Sequence, residues 1–160
     1  MRVLVTGGCG FVGSAVVRLA VERGDHVLNL DRRKKNAPVP ALGPAAQREG
    51  YARLEADVTD RAMIKAILRE FSPDAVIHLA ACGDDDPNAL VDAEIGGAFA
   101  VIEAARQYYE RLQGETRERF RIVHLERAEG DIPEKLTRAQ AARGAAAVLL
   151  DRWARANDLP

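Results

Sequence analysis

The sequence has few aromatic residues, almost no net charge and no long apolar run. Only 5% of its 160 residues are aromatic, and the formal net charge is −1. That charge gives no general attraction to nucleic acid or to membrane surfaces. No apolar stretch approaches the length that a membrane-spanning helix needs. We therefore expect neither a nucleic-acid partner nor a membrane partner.

Cysteine is scarce as well, and the N-terminal residues predict no secretion signal. Residues 1–5 lead directly into a glycine turn, without the apolar segment of a signal peptide. Cys9 and Cys82 are typical of reduced intracellular thiols. They follow neighbouring predicted strands and could approach each other, but two small buried thiols are the simpler interpretation. We expect a cytoplasmic protein.

Short apolar runs alternate along the chain with amphipathic segments. The apolar runs predict strands at residues 3–5, 26–30, 51–56, 75–79 and 120–125. Helices are predicted at residues 11–23, from a cap at Thr59 or Asp60 to Ser72-Pro73, at 88–111 and at 136–157, with an irregular loop at 36–47. This alternation predicts an α/β fold, a Rossmann-type doubly wound parallel sheet of about five strands in the order 3-2-1-4-5.

Apolar residues at helical spacing predict which helix faces pack on the sheet. The predicted packing residues are Val12, Val16, Leu19 and Ala20 in the first helix, Met63, Ile64, Ile67, Leu68 and Phe71 in the second, and Ala142, Ala146, Leu149, Leu150 and Trp153 in the last. At this length we expect residues 1–160 to form a single domain.

Three glycines between the first strand and the first helix indicate a dinucleotide site. Gly7 permits a tight turn, Gly10 lets the backbone approach a pyrophosphate, and Gly13 lets the helix pack closely on the strand. The helix N-terminus, at Phe11 and Val12, supplies N–H groups and a positive partial charge for phosphates. A glycine turn of purely structural use is the alternative.

An acidic residue supports the first interpretation. Asp31 follows the second predicted strand, where a carboxylate accepts hydrogen bonds from ribose hydroxyls. A carboxylate there repels a 2′-phosphate, which favours NAD over NADP. Arg32 and Arg33 leave NADP as the less favoured alternative, because either could neutralise such a phosphate.

The run VLVTGGCGFVGSAVVR at residues 3–18 resembles the opening of extended short-chain dehydrogenases/reductases, above all the dTDP-glucose 4,6-dehydratases and sugar-nucleotide epimerases. Residues 57–60 (DVTD) resemble the family's adenine-contacting segment, and residues 73–81 (PDAVIHLAA) resemble its fourth-strand signature. The resemblance implies NAD bound by Gly7, Gly10, Phe11, Val12, Gly13, Asp31, Asp57, Val58, Leu79, Ala80 and Ala81. It also implies pairing through helices 88–111 and 136–157, as a homodimer or with a full-length relative.

The departures from that family concern its catalytic residues. The positions of its Tyr-x-x-x-Lys pair fall at Ala139 and Arg143, where alanine has no titratable group and arginine stays charged. A family asparagine is replaced by Glu94, and its Asp-Glu pair has only Glu126 and Glu129 as candidate replacements. Relatives continue beyond Pro160, so we expect the C-terminal substrate region to be missing.

Three hypotheses remain open. The chain is a catalytically impaired NAD-binding protein, an active nucleotide-sugar dehydratase or epimerase with a non-standard site, or a non-catalytic partner of a full-length relative. The aspartates at residues 84–86 could hold Mg²⁺, although capping the next helix is the favoured interpretation. His26, His78 and His124 are widely separated and are interpreted as structural.

Overall fold

Five parallel strands form one sheet in the order β3-β2-β1-β4-β5. The computed structural model describes residues 1–33, 39–81, 86–125 and 136–160. The strands are β1 (Arg2–Thr6), β2 (His26–Asp31), β3 (Tyr51–Glu55), β4 (Ala75–His78) and β5 (Arg121–His124). The helices are α1 (Phe11–Glu22), α2 (Arg61–Phe71), α3 (Pro87–Leu90), α4 (Ala98–Tyr109), α5 (Gly114–Arg119) and α6 (Arg138–Ala156). The predicted fold class and strand order are confirmed.

The register brings the carboxyl ends of the central strands together. Thr6, at the end of β1, is level with Leu30 of β2 and with His78 of β4. His78 is in turn level with His124 at the end of β5. The strand order changes direction between β1 and β4, and ligands bind at such a switch point in open α/β sheets.

Hydrophobic cores cover both faces of the sheet. On one face Leu4 and Leu30 pack with residues of α2 and α4, and on the other Val3 and Val5 pack with Val17 of α1. These strand residues are buried on alternating sides, as expected for a parallel sheet covered by helices. No helix within the described ranges is long and apolar enough to cross a membrane.

The predicted packing face of α1 is wrong for Val12 and Leu19, whereas Ala20 is buried and Val16 packs against the core as predicted. Leu19 is 67% exposed and Val12 is also exposed, whereas Gly13, Val17 and Val21 are buried. Gly13 sets this orientation, because a Cβ at this position would lie 2.2 Å from the carbonyl oxygen of Gly7. The helix therefore packs on the sheet through Gly13, Val17 and Val21, which lie about one turn apart. In α2, Met63 is likewise exposed, although Ile64, Ile67 and Leu68 are buried as predicted.

Two segments have more regular structure than predicted. Pro40–Gln47 forms short 3₁₀ turns that are kinked at Gly43. Leu42 and Ala45 of this segment are buried in the core between the sheet and α1. These two apolar side chains fix the segment, which the prediction treated as irregular. The separate helix α5, at Gly114–Arg119, is not among the helices predicted from the sequence.

The long helix predicted at residues 88–111 is interrupted. It consists of α3, a π-helical segment at Val91–Gly97, and α4. The π segment contains Gly96 and Gly97, and glycine is less favourable than alanine inside an α-helix. At Gly97 a Cβ would lie 2.6 Å from Cγ2 of Val58, so glycine permits the close contact between this segment and the loop after β3.

A carboxylate between α4 and α6 joins the two helices. Glu103 accepts hydrogen bonds from Arg106, Gln107 and the indole Nε1 of Trp153, the last at 3.2 Å. The Arg106 hydrogen bonds lower the pKa of Glu103 to about 2 against the opposing effect of burial. The ionised carboxylate therefore stabilises the folded chain above the ordinary glutamate pKa of 4.5, and this contribution is lost as the pH falls toward 2.

Replacing Glu103 by glutamine should lower the unfolding free energy at neutral pH by about 1–3 kcal/mol, because the charged carboxylate that accepts these hydrogen bonds is lost. The difference from wild type should shrink between pH 4.5 and 2. Urea unfolding followed by the fluorescence of Trp153, the sequence's one tryptophan, measures both effects. Glu115→Gln, which alters an exposed pair with Arg119, is the control and should change little. Equal losses in the two variants would contradict this role of Glu103.

Candidate functional site

A cleft of about 830 Å³ opens at the carboxyl ends of the strands. Its walls come from the glycine loop, the ends of β2 and β4, the loop after β3, the π segment and α6. The structure places along this one cleft every residue that the sequence assigned to cofactor binding, namely Gly7, Gly10, Phe11, Val12, Gly13, Asp31, Asp57, Val58, Leu79, Ala80 and Ala81.

The glycine loop owes its shape to close backbone contacts. Gly7 has a φ of 72°, and a Cβ there would lie 2.6 Å from the backbone nitrogen of Ala80. The Gly10 N–H donates to the Gly7 carbonyl at 3.0 Å, which closes the turn. A side chain at Gly7 would push the loop away from Ala80, and one at Gly13 would push α1 away from Gly7. Glycine is therefore required at both positions.

The first turn of α1 lies open to the cleft. Gly10 is its N-cap and has no side chain with which to accept from the first-turn N–H groups. Phe11 and Val12 both line the cleft, and the side chain of Phe11 is 96% exposed. Such a helix N-terminus offers hydrogen-bond donors and a positive partial charge to an anionic group.

Asp31 is held at one end of the cleft by backbone donors. Its Oδ2 accepts from the Cys9 N–H at 2.9 Å, and its Oδ1 accepts from the Arg33 N–H at 3.0 Å. These bonds fix the carboxylate beside the glycine loop, and a carboxylate has lone pairs for about four bonds. On the same side, Asp57 accepts from the backbone and hydroxyl of Thr59.

Polar groups beneath the loop support Cys9. Its sulfur accepts from Nδ2 of Asn29 at 3.6 Å and from the Arg53 guanidinium at 3.7 Å. Burial, together with the nearby charge of Asp31, raises the pKa of the Cys9 thiol. A buried thiol of raised pKa is poorly reactive, as expected for a structural cysteine. Cys82 lies outside the described residues.

Two histidines meet at the floor of the cleft, although they are far apart in the sequence. The rings of His78 and His124 stack with centroids 5.3 Å apart. Burial, with a smaller contribution from His124, lowers the pKa of His78 to about 3, so His78 is neutral at physiological pH. The interpretation of the three histidines as widely separated is therefore wrong for this pair, because parallel register brings the two strand ends together.

The hydroxyl of Thr6 joins His78 to the segment after β4. Thr6 Oγ1 accepts from the backbone N–H groups of Leu79 and Ala80 at 3.2 and 3.3 Å. It also shares a hydrogen bond with His78 Nδ1, 2.7 Å away. The strand-four segment beside the cleft is thus tied to the end of β1.

The far end of the cleft contains an ion pair that the sequence did not reveal. Glu94 is only 6% exposed, and its Oε1 lies 3.2 Å from Nε of Arg143 on α6. Gln140, Arg143 and Gly144 line the cleft, and Ala139 immediately precedes them on α6. Each of the two residues departs from the family pattern by itself, and their separation of 49 residues in the sequence gives no signal that they are in contact.

Other candidate residues fall outside the described ranges or do not form a metal site. Glu126, Glu129, Asp84 and Asp85 are not among the described residues. Asp86 caps α3 by accepting from the N–H groups of Asn88 and Ala89. Within the ranges that the structure describes, no three histidine, cysteine or acidic side chains form a possible metal site.

Solved structures share this architecture. The UDP-glucose 4-epimerase of Thermus thermophilus, in complex with NAD, superimposes with a TM-score of 0.72 at 26% identity, covering 99% of this chain and 52% of that one. WbmG of Bordetella bronchiseptica, in complex with NAD, gives a TM-score of 0.77 at 24% identity, covering 100% and 51%.

Sequence comparison gives a family. The dTDP-glucose 4,6-dehydratase of Shigella flexneri is 38% identical over 141 residues, which are 83% of this chain and 39% of that protein. A probable dTDP-glucose 4,6-dehydratase of Sinorhizobium fredii is 38% identical over 133 residues. The chain thus spans about two fifths of the length of these curated relatives. The profile of the NAD dependent epimerase/dehydratase family matches residues 3–138, and the chain belongs to that family.

Proposed function

We propose that this chain binds NAD in the cleft at the carboxyl ends of its strands. The observation that carries the proposal is the position of Asp31, whose carboxylate is bonded to the backbone of the glycine loop itself. One cleft thereby presents a ribose acceptor beside a helix N-terminus suited to a pyrophosphate. Relatives of this fold solved in complex with NAD support the choice of ligand.

The glycine loop fits a pyrophosphate sterically as well as electrostatically. A Cβ at Gly10 would meet the Gly7 carbonyl oxygen at 3.2 Å, a contact that a small shift relieves. Gly10 is therefore not required by the packing of the loop in the way that Gly7 and Gly13 are. Its lack of a side chain matters for what approaches from the cleft, which is the role that the dinucleotide pattern gives this position.

The same end of the cleft favours NAD over NADP. A 2′-phosphate would lie beside the fixed carboxylate of Asp31, and the two negative charges would repel each other. Arg32 is directed in part to Asp57, with a closest approach of 3.9 Å, and that pairing opposes its use as a phosphate ligand. Arg33 is the remaining candidate for a phosphate contact.

We further propose that the chain by itself binds the cofactor without turning over a nucleotide sugar. Ala139, at the position of the family's catalytic tyrosine, offers no proton, and Arg143 remains charged and cannot replace a general base. His78 is neutral, but only 2% of its surface is exposed, so it offers no accessible base to a substrate.

The active enzyme with a non-standard site is the competing hypothesis. Pairing through helices 88–111 and 136–157, as a homodimer or with a full-length relative, stays a prediction.

Calorimetric titration should show micromolar binding of NAD⁺ and at least tenfold weaker binding of NADP⁺. Asp31→Ala should weaken NAD⁺ binding by roughly tenfold or more, because a charged acceptor for the ribose hydroxyls is lost. The control is Asp151→Ala, which removes an exposed carboxylate of α6 that pairs with Arg155. The proposal would be overturned if neither nucleotide bound the wild-type chain.

Gly10→Ala tests the pyrophosphate site separately from folding. The backbone at Gly10, with φ −76° and ψ 176°, is open to alanine, so the variant should unfold near the wild-type temperature. Its methyl group should nevertheless reduce the affinity for NAD⁺ and for ADP by about tenfold, since both carry the pyrophosphate. Gly96→Ala, outside the cleft lining, is the matched control. Unchanged affinity in Gly10→Ala would place the phosphates elsewhere.

The proposal on turnover has its own assay. The wild-type chain, supplied with NAD⁺ and dTDP-glucose, should produce no 4-keto product. A single variant that restores the tyrosine, Ala139→Tyr, should not by itself restore activity, because Arg143 is not lysine. Detectable product from the wild-type chain would favour the active enzyme with a non-standard site.

A further inference from the structure

A second cavity lies between α2 and α4, in the helical layer that covers one face of the sheet. Its volume is about 410 Å³, and none of the described residues lines both this cavity and the cleft. It is lined by residues 62, 65, 66, 68 and 69 of α2 and by residues 104, 107, 108 and 111, which lie on α4 or just after it. We call it the α2–α4 groove. The proposed binding of NAD gives this groove no role.

The floor of the α2–α4 groove is apolar and belongs to the folded core. Leu68 and Ala104 are 1% and 2% exposed, and both pack in the core cluster beneath the two helices. Ala62 and Ala66 line the groove from α2, and their side chains end at Cβ. Such short side chains leave the space above Leu68 unfilled. The groove therefore offers a preformed apolar surface, as small-molecule sites do.

Three cationic side chains surround this floor, and the described carboxylates do little to neutralise them. Lys65, Arg69 and Arg111 all line the groove and are exposed. Within the described ranges, neither Lys65 nor Arg111 forms an ion pair with a carboxylate. Arg69 approaches its exposed sequence neighbour Glu70 at 3.9 Å, and such a surface pair is weak. A negatively charged ligand would meet these cations without displacing a strong internal partner.

Two acidic side chains of α4 and its C-terminus are engaged elsewhere. Glu103 and Glu110 both pair with Arg106, which does not line the groove. On α2, Lys65 and Arg69 are four residues apart, and like charges at this spacing destabilise a helix. An anion held between them would offset that repulsion.

The helix macrodipole does not account for this arrangement. Basic residues at the C-terminal end of a helix interact favourably with the dipole, and Arg69 of α2 and Arg111 after α4 fit that role. Lys65 lies in the middle of α2, whereas the effect is confined to the terminal turn. The dipole also gives no reason for an open apolar space between the cations. Ligand binding explains the cations and the space together.

We propose that the α2–α4 groove binds a small amphiphilic anion. The apolar body of this ligand packs on Leu68 and the neighbouring alanines, and its anionic head group, a carboxylate or a sulfonate, is bound by Lys65, Arg69 and Arg111. The inference is independent of the proposed NAD site, because the two cavities are built from different residues.

The size of the groove favours a small molecule over a protein segment. Small-molecule sites have volumes of roughly 300–1,000 Å³, a range that includes this groove. α2 and α4 share one core cluster, and the axes of packed helices lie about 8–10 Å apart. A third helix, about 10–12 Å across with its side chains, does not enter the space between them. An acyl chain or an aromatic ring does.

The probe for the test is 8-anilinonaphthalene-1-sulfonate, which joins aromatic rings to one sulfonate and fluoresces strongly when its rings leave water. Fluorescence titration should show micromolar binding of this probe to the wild-type chain. Excess NAD⁺ should not displace it, because no described residue lines both cavities. Octanoate should compete with the probe, whereas octylammonium, which has the same apolar chain and a positive charge, should not.

Two variants test whether the probe lies in the groove. Lys65→Gln/Arg111→Gln should weaken probe binding by roughly tenfold, because two of the cations are lost. Ala66→Leu should weaken it by a similar factor, because the larger side chain fills the apolar space. The matched control, Arg48→Gln/Arg152→Gln, removes two exposed arginines outside the groove and should keep the affinity within twofold.

Thermal unfolding provides a second measurement that does not depend on fluorescence. Without ligand, Lys65→Gln/Arg111→Gln should unfold near the wild-type temperature, because both side chains are exposed. Octanoate should raise the unfolding temperature of the wild-type chain and of the Arg48→Gln/Arg152→Gln control, since a ligand of the folded state stabilises it. It should not raise that of Lys65→Gln/Arg111→Gln.

Several results would overturn the inference. They are a wild-type chain that does not bind the probe, octylammonium that competes as well as octanoate, and equal affinities in the wild type and both groove variants. An equal loss in the groove and control double variants would show a general attraction to positive charge and would overturn it too. None of these results alters the proposed NAD function, which calorimetry tests on the cleft.

Discussion

The cleft depends on how closely the glycine-loop backbone approaches its neighbours. Gly7 lies against Ala80 after β4, and Gly13 lies against the carbonyl of Gly7, at distances that leave no room for a Cβ. These contacts place the start of α1 directly over the carboxyl ends of β1 and β4. Hydrogen bonds from Leu79 and Ala80 to Thr6 tie the two sides of the switch point together.

This constraint also sets the electrostatics of the cleft before any ligand arrives. The loop that leads into α1 donates its Cys9 N–H to Asp31. The N-terminus of α1, which attracts anions, and the carboxylate of Asp31 are therefore held side by side. Asn29 and Arg53 support the loop from below through the Cys9 sulfur. A site whose groups are already fixed loses less conformational entropy on binding.

Binding and chemistry place different demands on a sequence of this family. A pyrophosphate is held by backbone N–H groups and by the absence of side chains, so glycines at a few positions suffice. Proton transfer requires one particular titratable side chain at one position. Under the proposal that Ala139 and Arg143 stand at the positions of the family's catalytic pair, the second requirement is altered and the first is not.

Local patterns in the sequence determined the alternation of strands and helices, the glycine loop and the position of Asp31, because each depends on residues close together in the chain. The face of α1 could not be predicted, since Gly13 packs through its smallness and carries no hydrophobic signal. The stacking of His78 on His124 and the pairing of Glu94 with Arg143 were decided by tertiary structure alone. Strand register and helix docking bring those residues together, and the residues next to them in the chain do not show which distant residue each will meet.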